Sequence, residues 1–331
     1  MFAAIRRVIT RAMWPMAGIA WTLALSSGVV CAQGYPTRPI MLVLGYPPGG
    51  STDVVARVIA PKLGDILGVP VVVENKAGAN GIIGSDYVAR AAPDGYTLLL
   101  ISSSPLVIAP HTYPKVPYDT LRDFAAITTV GVTPEALAVN PSVPAKNMKE
   151  LAELARTQTI AISSSGNGGL PHLAIELLKD ASKGNIIHVP YKGGGPAVTD
   201  AIGGHVQGVL IDLPAVLPFV KAGKLRALAI TANQRTEFLP DVPTSVEQGF
   251  PTVIAVNWIG IAAPAKTPRP IIDKLYSALV SVASSPEVKE QFANAGVTAS
   301  TMASPEAFQQ FLREEFMKWE AIAKRSGARA D

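Results

Sequence analysis

The chain has 331 residues, 48% of them hydrophobic and 16% charged, with a net charge of +4. Arg6, Arg7 and Arg11 supply three of its 29 basic side chains, so the rest stands near neutrality, 26 basic against 25 acidic, with no basic stripe suited to nucleic acid. A single cysteine, Cys31, excludes a disulfide scaffold.

The three arginines precede an apolar stretch from Met13 to Val30, and Val30-Cys31-Ala32 then offers small residues. This order reads as a secretory signal over 1–32, whose removal leaves Gln33 first and the chain without cysteine. Pro15 and the small residues at its end speak against a retained membrane anchor. Val30 is too bulky a neighbour for a lipid-modified Cys31. About 300 residues remain, more than one core comfortably holds, which predicts two domains.

Apolar runs then alternate with helical patterns. IMLVLGY (40–46), VPVVVEN (69–75), YTLLLIS (96–102), TIAISS (159–164), VQGVLID (206–212) and LRALAIT (225–231) predict buried strands, and their continuous hydrophobicity suits a parallel sheet covered on both faces. Between them, Val54, Val55, Val58 and Ile59, and later Leu170, Leu173, Ala174, Leu177 and Leu178, follow helical spacing. Strand, helix, strand order predicts an α/β architecture with right-handed crossovers. Near the C-terminus, SPEVKEQFANAG and SPEAFQQFLREEFMKWEAIAKRSG each read as a serine cap, a proline in the first turn and an acidic residue beside it, with Gly296 and Gly327 as stops.

Three glycine-rich junctions run from a strand into a helix: YPPGGSTD (46–53), SSSGNGGLPH (163–172) and VPYKGGGPAVTD (189–200). The first turn of a helix presents N–H groups without internal partners, and the aligned peptides add partial positive charge there. A carboxylate or phosphate satisfies both, and glycine allows it close to the main chain. Taken singly, each junction is equally a turn and a cap, with Ser51 or Thr52 capping and Asp53 complementing the dipole. Three of them in two domains point to anion binding in a cleft.

Nucleotide readings fit poorly. There is no GxxxxGK[ST], and GANGIIG (78–84) lacks GxG spacing. His111, His172, His188 and His205 show no HxxxH pairing, there is no GxSxG, and no cofactor is implied. A rival reading is a secreted serine hydrolase using the Ser163–Ser165 cluster with His172. That histidine lies in a helix's first turn, where the dipole favours a neutral ring that bonds a ligand or packs locally. Asp212 ends a strand near the expected cleft, where it meets a polar ligand group or holds a loop by hydrogen bonds, and Tyr191-Lys192 reads either as a solvated charge beside a packed ring or as an aromatic wall with a cation at the mouth.

PPGGSTDVVAR, VVVENKAGANGIIG, PDGYTLLL, VPYKGGGPAVTDAIGGHVQ, KAGKLRALAIT and LPDVPTSVEQGFP, in this order, resemble the solute-binding proteins of tripartite tricarboxylate transporters, the Bug family of Bordetella and its relatives. The resemblance covers nearly the whole mature chain. It implies a periplasmic two-domain α/β fold of the Venus-flytrap, type II-like kind, with a cleft between domains that closes on a mono- or dicarboxylate. It further implies no catalysis, no metal, delivery to membrane permease subunits, and a monomer. The domains are expected at 34–137 plus 259–331 and at 138–258, with hinges near Val130–Ala138 and Trp258–Ile261. Carried over by motif, the ligand loops are Tyr46, Pro48, Gly49, Gly50, Ser51, Thr52 and Asp53, followed by Ser102, Ser103 and Ser104 on the same domain. Ser165, Gly166, Asn167, Gly168 and His172, then Tyr191, Gly193, Gly194, Gly195 and Asp212, approach from the other. Tyr46 stands where many members have phenylalanine or another apolar residue, and Ala77 and Asn80 where proline and glycine are frequent.

Overall fold

The structure is a computed structural model that describes residues 34–330; the signal segment proposed above lies outside the described residues. The chain runs β1 (Ile40–Leu44), α1 (Ser51–Leu67), β2 (Val71–Asn75), α2 (Ile82–Ala89), β3 (Thr97–Ser102), α3 (Ala109–Thr112) and a long β4 (Phe124–Val139). Next come α4 (Met148–Thr157), β5 (Ile160–Ser164), α5 (Leu170–Ser182), β6 (Ile186–Pro190), α6 (Gly194–Gly203), β7 (Gly208–Asp212), α7 (Leu213–Lys221) and β8 (Arg226–Ile230). Then follow β9 (Val256–Pro264), α8 (Arg269–Ser284), α9 (Pro286–Asn294), β10 (Thr298–Ala299) and α10 (Pro305–Ser326).

The strand order is β2-β1-β3-β9-β4-β7-β5-β6. All six predicted strands form. At both ends the pairing is parallel, β1 with β2 and β3, and β5 with β6 and β7. The centre departs from the expected parallel sheet: β9 is antiparallel to β3 and β4, and β4 is antiparallel to β7 and β8. The cause is β4 itself. Phe124 to Pro134 pair with β9, whereas Glu135 to Val139 pair with β7, so one strand serves two sheets. Pro134 has no N–H to donate at the changeover, and the next donor, Glu135 N, turns to Ala255 O at 3.1 Å. This is the two-domain α/β fold expected from the resemblance.

Leu98 to Ile101 of β3 are 2% exposed or less, as a strand covered on both faces requires. On β9, Trp258 meets Phe308 of α10 edge to face at 5.7 Å. Gly260 lets that ring in, since a Cβ there would lie 2.5 Å from Phe308 Cζ. Burying such a ring is worth roughly 2–3 kcal/mol. The Ser-Pro starts act as predicted: Ser285 accepts from Val288 N and Ser304 from Ala307 N, while Gly327 closes α10 at φ 67°.

Candidate functional site

The first junction leaves β1 at Leu44 and enters α1 at Ser51. Its N-cap is Gly50, with no side-chain cap, so neither Ser51 nor Thr52 caps as expected. Ser51 lies inside the helix, and its hydroxyl donates to Asp212. Asp53 turns back: it accepts from Gly49 N at 3.0 Å, from Arg57 Nε at 2.8 Å and from Asn75 Nδ2 at 3.1 Å. Burial alone would raise its carboxyl, but these bonds outweigh it and hold the group below the ordinary carboxylate range. Asp53 thus orders the loop and leaves the first-turn N–H groups of α1 without a side-chain cap.

The second and third junctions are tied to each other. Gly193 N donates to Ser165 O at 3.0 Å, and Tyr191 N to Ser164 O at 3.1 Å. Gly193 has φ 107°, which a side chain would strain, and a Cβ at Gly193 or Gly195 would meet nothing within 4 Å. The main chain at the start of α6 therefore stands open.

All three junctions face one cavity of about 840 Å³. Tyr46, Pro48, Gly49, Gly50, Ser51 and Thr52 line it together with Ser165, Gly166, Asn167, Tyr191, Gly193, Gly194 and Gly195, and Ser102, Ser104 and Asp212 complete the wall. Four residues named from the sequence do not line it. Besides Asp53, Ser103 is wholly buried and donates to Asn257 Oδ1 at 3.0 Å. Gly168 packs against Thr112, and its carbonyl accepts from that hydroxyl at 2.9 Å. His172 is 7% exposed; its Nδ1 accepts from Gly168 N at 3.0 Å and its ring stacks on His188 at 4.0 Å.

Lys192, the cation read at the mouth, lines the cavity as well, as do Asn80, Tyr113 and Asn257, which the sequence does not single out for ligand contact. Tyr46 donates to Asn80 O at 3.1 Å and lies 3.3 Å from Ser102 Oγ. Burial raises its phenol, so it stays a neutral donor. Asn257 donates to Asp212 Oδ2 at 3.2 Å. The opposite walls touch where Leu170 N donates to Ser104 Oγ at 3.1 Å and Tyr113 to Asn167 O at 3.3 Å. Among the lining residues only Lys192 is cationic and only Asp212 anionic. An anion held here must find most of its donors in peptide N–H groups and hydroxyls.

Two of the three serines in the cluster are engaged structurally. Ser163 donates to Ala197 O and Gly208 O, Ser164 is buried with its Oγ 2.6 Å from His188 Nε2, and the nitrogens of His172 face Gly168 N and Glu176. No base is left for Ser165 in the pairing the hydrolase reading required.

The family model "Tripartite tricarboxylate transporter family receptor" matches residues 55–328. The chain is similar to Protein BugT of Bordetella pertussis, with 40% identity over 315 residues, 94% of this chain and 96% of that protein. Among solved structures it is similar to R. palustris Rpa4515 with adipate, at a TM-score of 0.85 and 31% identity over 89% of this chain and 99% of that one. The periplasmic binding protein BugD gives a TM-score of 0.81 and 35% identity over 90% and 100%. The chain therefore belongs to the tripartite tricarboxylate transporter receptor family, the TctC/Bug group of periplasmic solute-binding proteins, and is a transport protein rather than an enzyme.

Proposed function

We propose that this protein captures a small mono- or dicarboxylate in the 840 Å³ cavity and passes it to the membrane permease subunits of its transporter, acting as a monomer. The observation that carries the reading is the convergence of three glycine-rich junctions on a cavity with a single cation, Lys192. The N-termini of α1 and α6 both border it, so each can meet one carboxylate. The adipate of the Rpa4515 structure supports a two-ended acid.

In this reading the ligand loops are those named from the sequence, and the domains are 34–137 plus 259–331 and 138–258. The change of partner along β4 supports a hinge there. A ligand favours closure only by binding the closed form more tightly than the open one. Native mass spectrometry of freshly purified protein tests the reading: a retained small acid, then confirmed by calorimetric titration, is the expected result. Retention of a neutral solute that competes with every acid offered would overturn it.

A further inference from the structure

Glu135 is 0% exposed, and neither of its carboxylate oxygens receives a hydrogen bond from any described N–H or O–H. Its backbone is fully engaged: the N–H donates to Ala255 O, and the carbonyl accepts from Thr231 N and Thr231 Oγ1, each at 3.0 Å. Only the side chain is orphaned. Directly opposite, as its antiparallel cross-strand partner, stands Asp212. Such partners lie about 5 Å apart at Cβ, and like charges placed so are destabilising. Two facing carboxylates bond only when one of them carries a proton.

Among the described residues, no cation bears on the Glu135 carboxyl. β9 has no ionisable side chain and β7 has only Asp212. From β8, Arg226 is committed to the carbonyls of Pro141, Val143 and Ala145. Lys221 is exposed at the far end of α7. On α8 and α10, Arg269 pairs with Asp273 and Glu306, Lys318 with Glu315, and Lys324 with Glu320. The charge of Asp212 also reaches Tyr46, whose phenol it helps to raise. Burial first, then the charge of Asp212, raise the Glu135 carboxyl well above its ordinary range.

Resting on the cavity assigned above, we propose that Glu135 is a positioning residue: a neutral acid that donates its proton to Asp212, leaving one negative charge on the pair and fixing Asp212 to receive Ser51 and Asn257. Ser51 begins α1 while Asp212 ends β7, so this single carboxylate joins both walls of the cavity at the strand where the two sheets meet. A second charge at Glu135 would repel the anionic guest and break the seat of Ser51.

The test compares the wild-type protein with Glu135→Gln, which supplies an N–H donor at every pH, and with Glu135→Leu, which supplies none. The infrared spectrum of the wild type in heavy water at neutral pH should show the C=O stretch of a protonated carboxyl, absent from E135Q. Folding stability relative to E135Q should fall as pH rises above 4.5, the ordinary value at which the unfolded glutamate ionises. With adipate as probe, wild-type affinity should fall, by up to about tenfold per unit, only as pH rises above neutral through the titration of the folded Glu135. E135Q should bind without that dependence, and E135L more weakly than either. A wild type without the infrared band, or an E135Q protein that keeps both band and pH slope, would overturn the proposal. If E135Q does not fold, the wild-type band decides alone. If adipate binds no form at any pH, adipate is excluded as the guest, and the band and the stability slope still decide about the proton.

Discussion

Gly50 occupies the N-cap of α1 at φ −81°, and a Cβ added there would meet no protein atom within 4 Å. Gly50→Val is thus compatible with the backbone while filling the approach to the first-turn N–H groups. Affinity for the bound acid should fall by about 100-fold or more, roughly 3 kcal/mol, with the urea midpoint unchanged; calorimetry and an unfolding curve check both halves. Retained affinity would remove this junction from the site. Gly50, Gly193 and Gly195, which line the cavity, could be singled out in the sequence only because three such junctions recur, since one glycine at a helix start is explained as well by a turn or a cap. Asn257 and Tyr113 were not, because only tertiary pairing brings them to the cavity, Asn257 through Asp212 and Tyr113 through Asn167. The function of Asp53 was half legible: its place in the first turn could be read, but its turn toward Gly49, Arg57 and Asn75 could not.

Among the elements, α5 and β6 carry the stacked pair His172 and His188. Burial lowers His172 to about 4, with Lys179 adding to it, and lowers His188 to about 3, with His172 and Lys179 adding. The bond from Gly168 N to His172 Nδ1 itself requires an unprotonated nitrogen. Since the folded rings stay neutral while unfolded histidine takes up protons below 6.5, stability is full above 6.5 and is lost as pH falls toward 4 and 3. His188→Phe should reduce that slope in urea unfolding measured across this window. At α10, Ser304→Ala removes the acceptor for Ala307 N and should cost about 1 kcal/mol in unfolding free energy without changing ligand affinity. Both Ser-Pro helices were readable from local chemistry alone. β4 and β9 were not, since Gly131, Pro134 and Gly260 interrupt their apolar runs and their pairing depends on partners far along the chain. β6 carries no continuous apolar signal because an edge strand need not be buried on both sides.

On the scale of the whole molecule, β4 carries the coupling between the two sheets, with β9 along its first part and β7 and β8 along its second. The two walls of the cavity are bridged by bonds such as Leu170 N to Ser104 Oγ and Ser51 to Asp212. A guest that meets N–H groups from both sides adds to these bonds only in the closed form, so binding must appear as folding stability. At a hundred times the dissociation constant this amounts to about 2.7 kcal/mol. The most direct measurement is thermal unfolding with a series of short-chain mono- and dicarboxylates, each run beside its methyl ester. An acid that raises the melting temperature in a saturable manner, while its uncharged ester does not, is the predicted result; stabilisation by esters equal to that by acids would contradict anion capture by peptide donors.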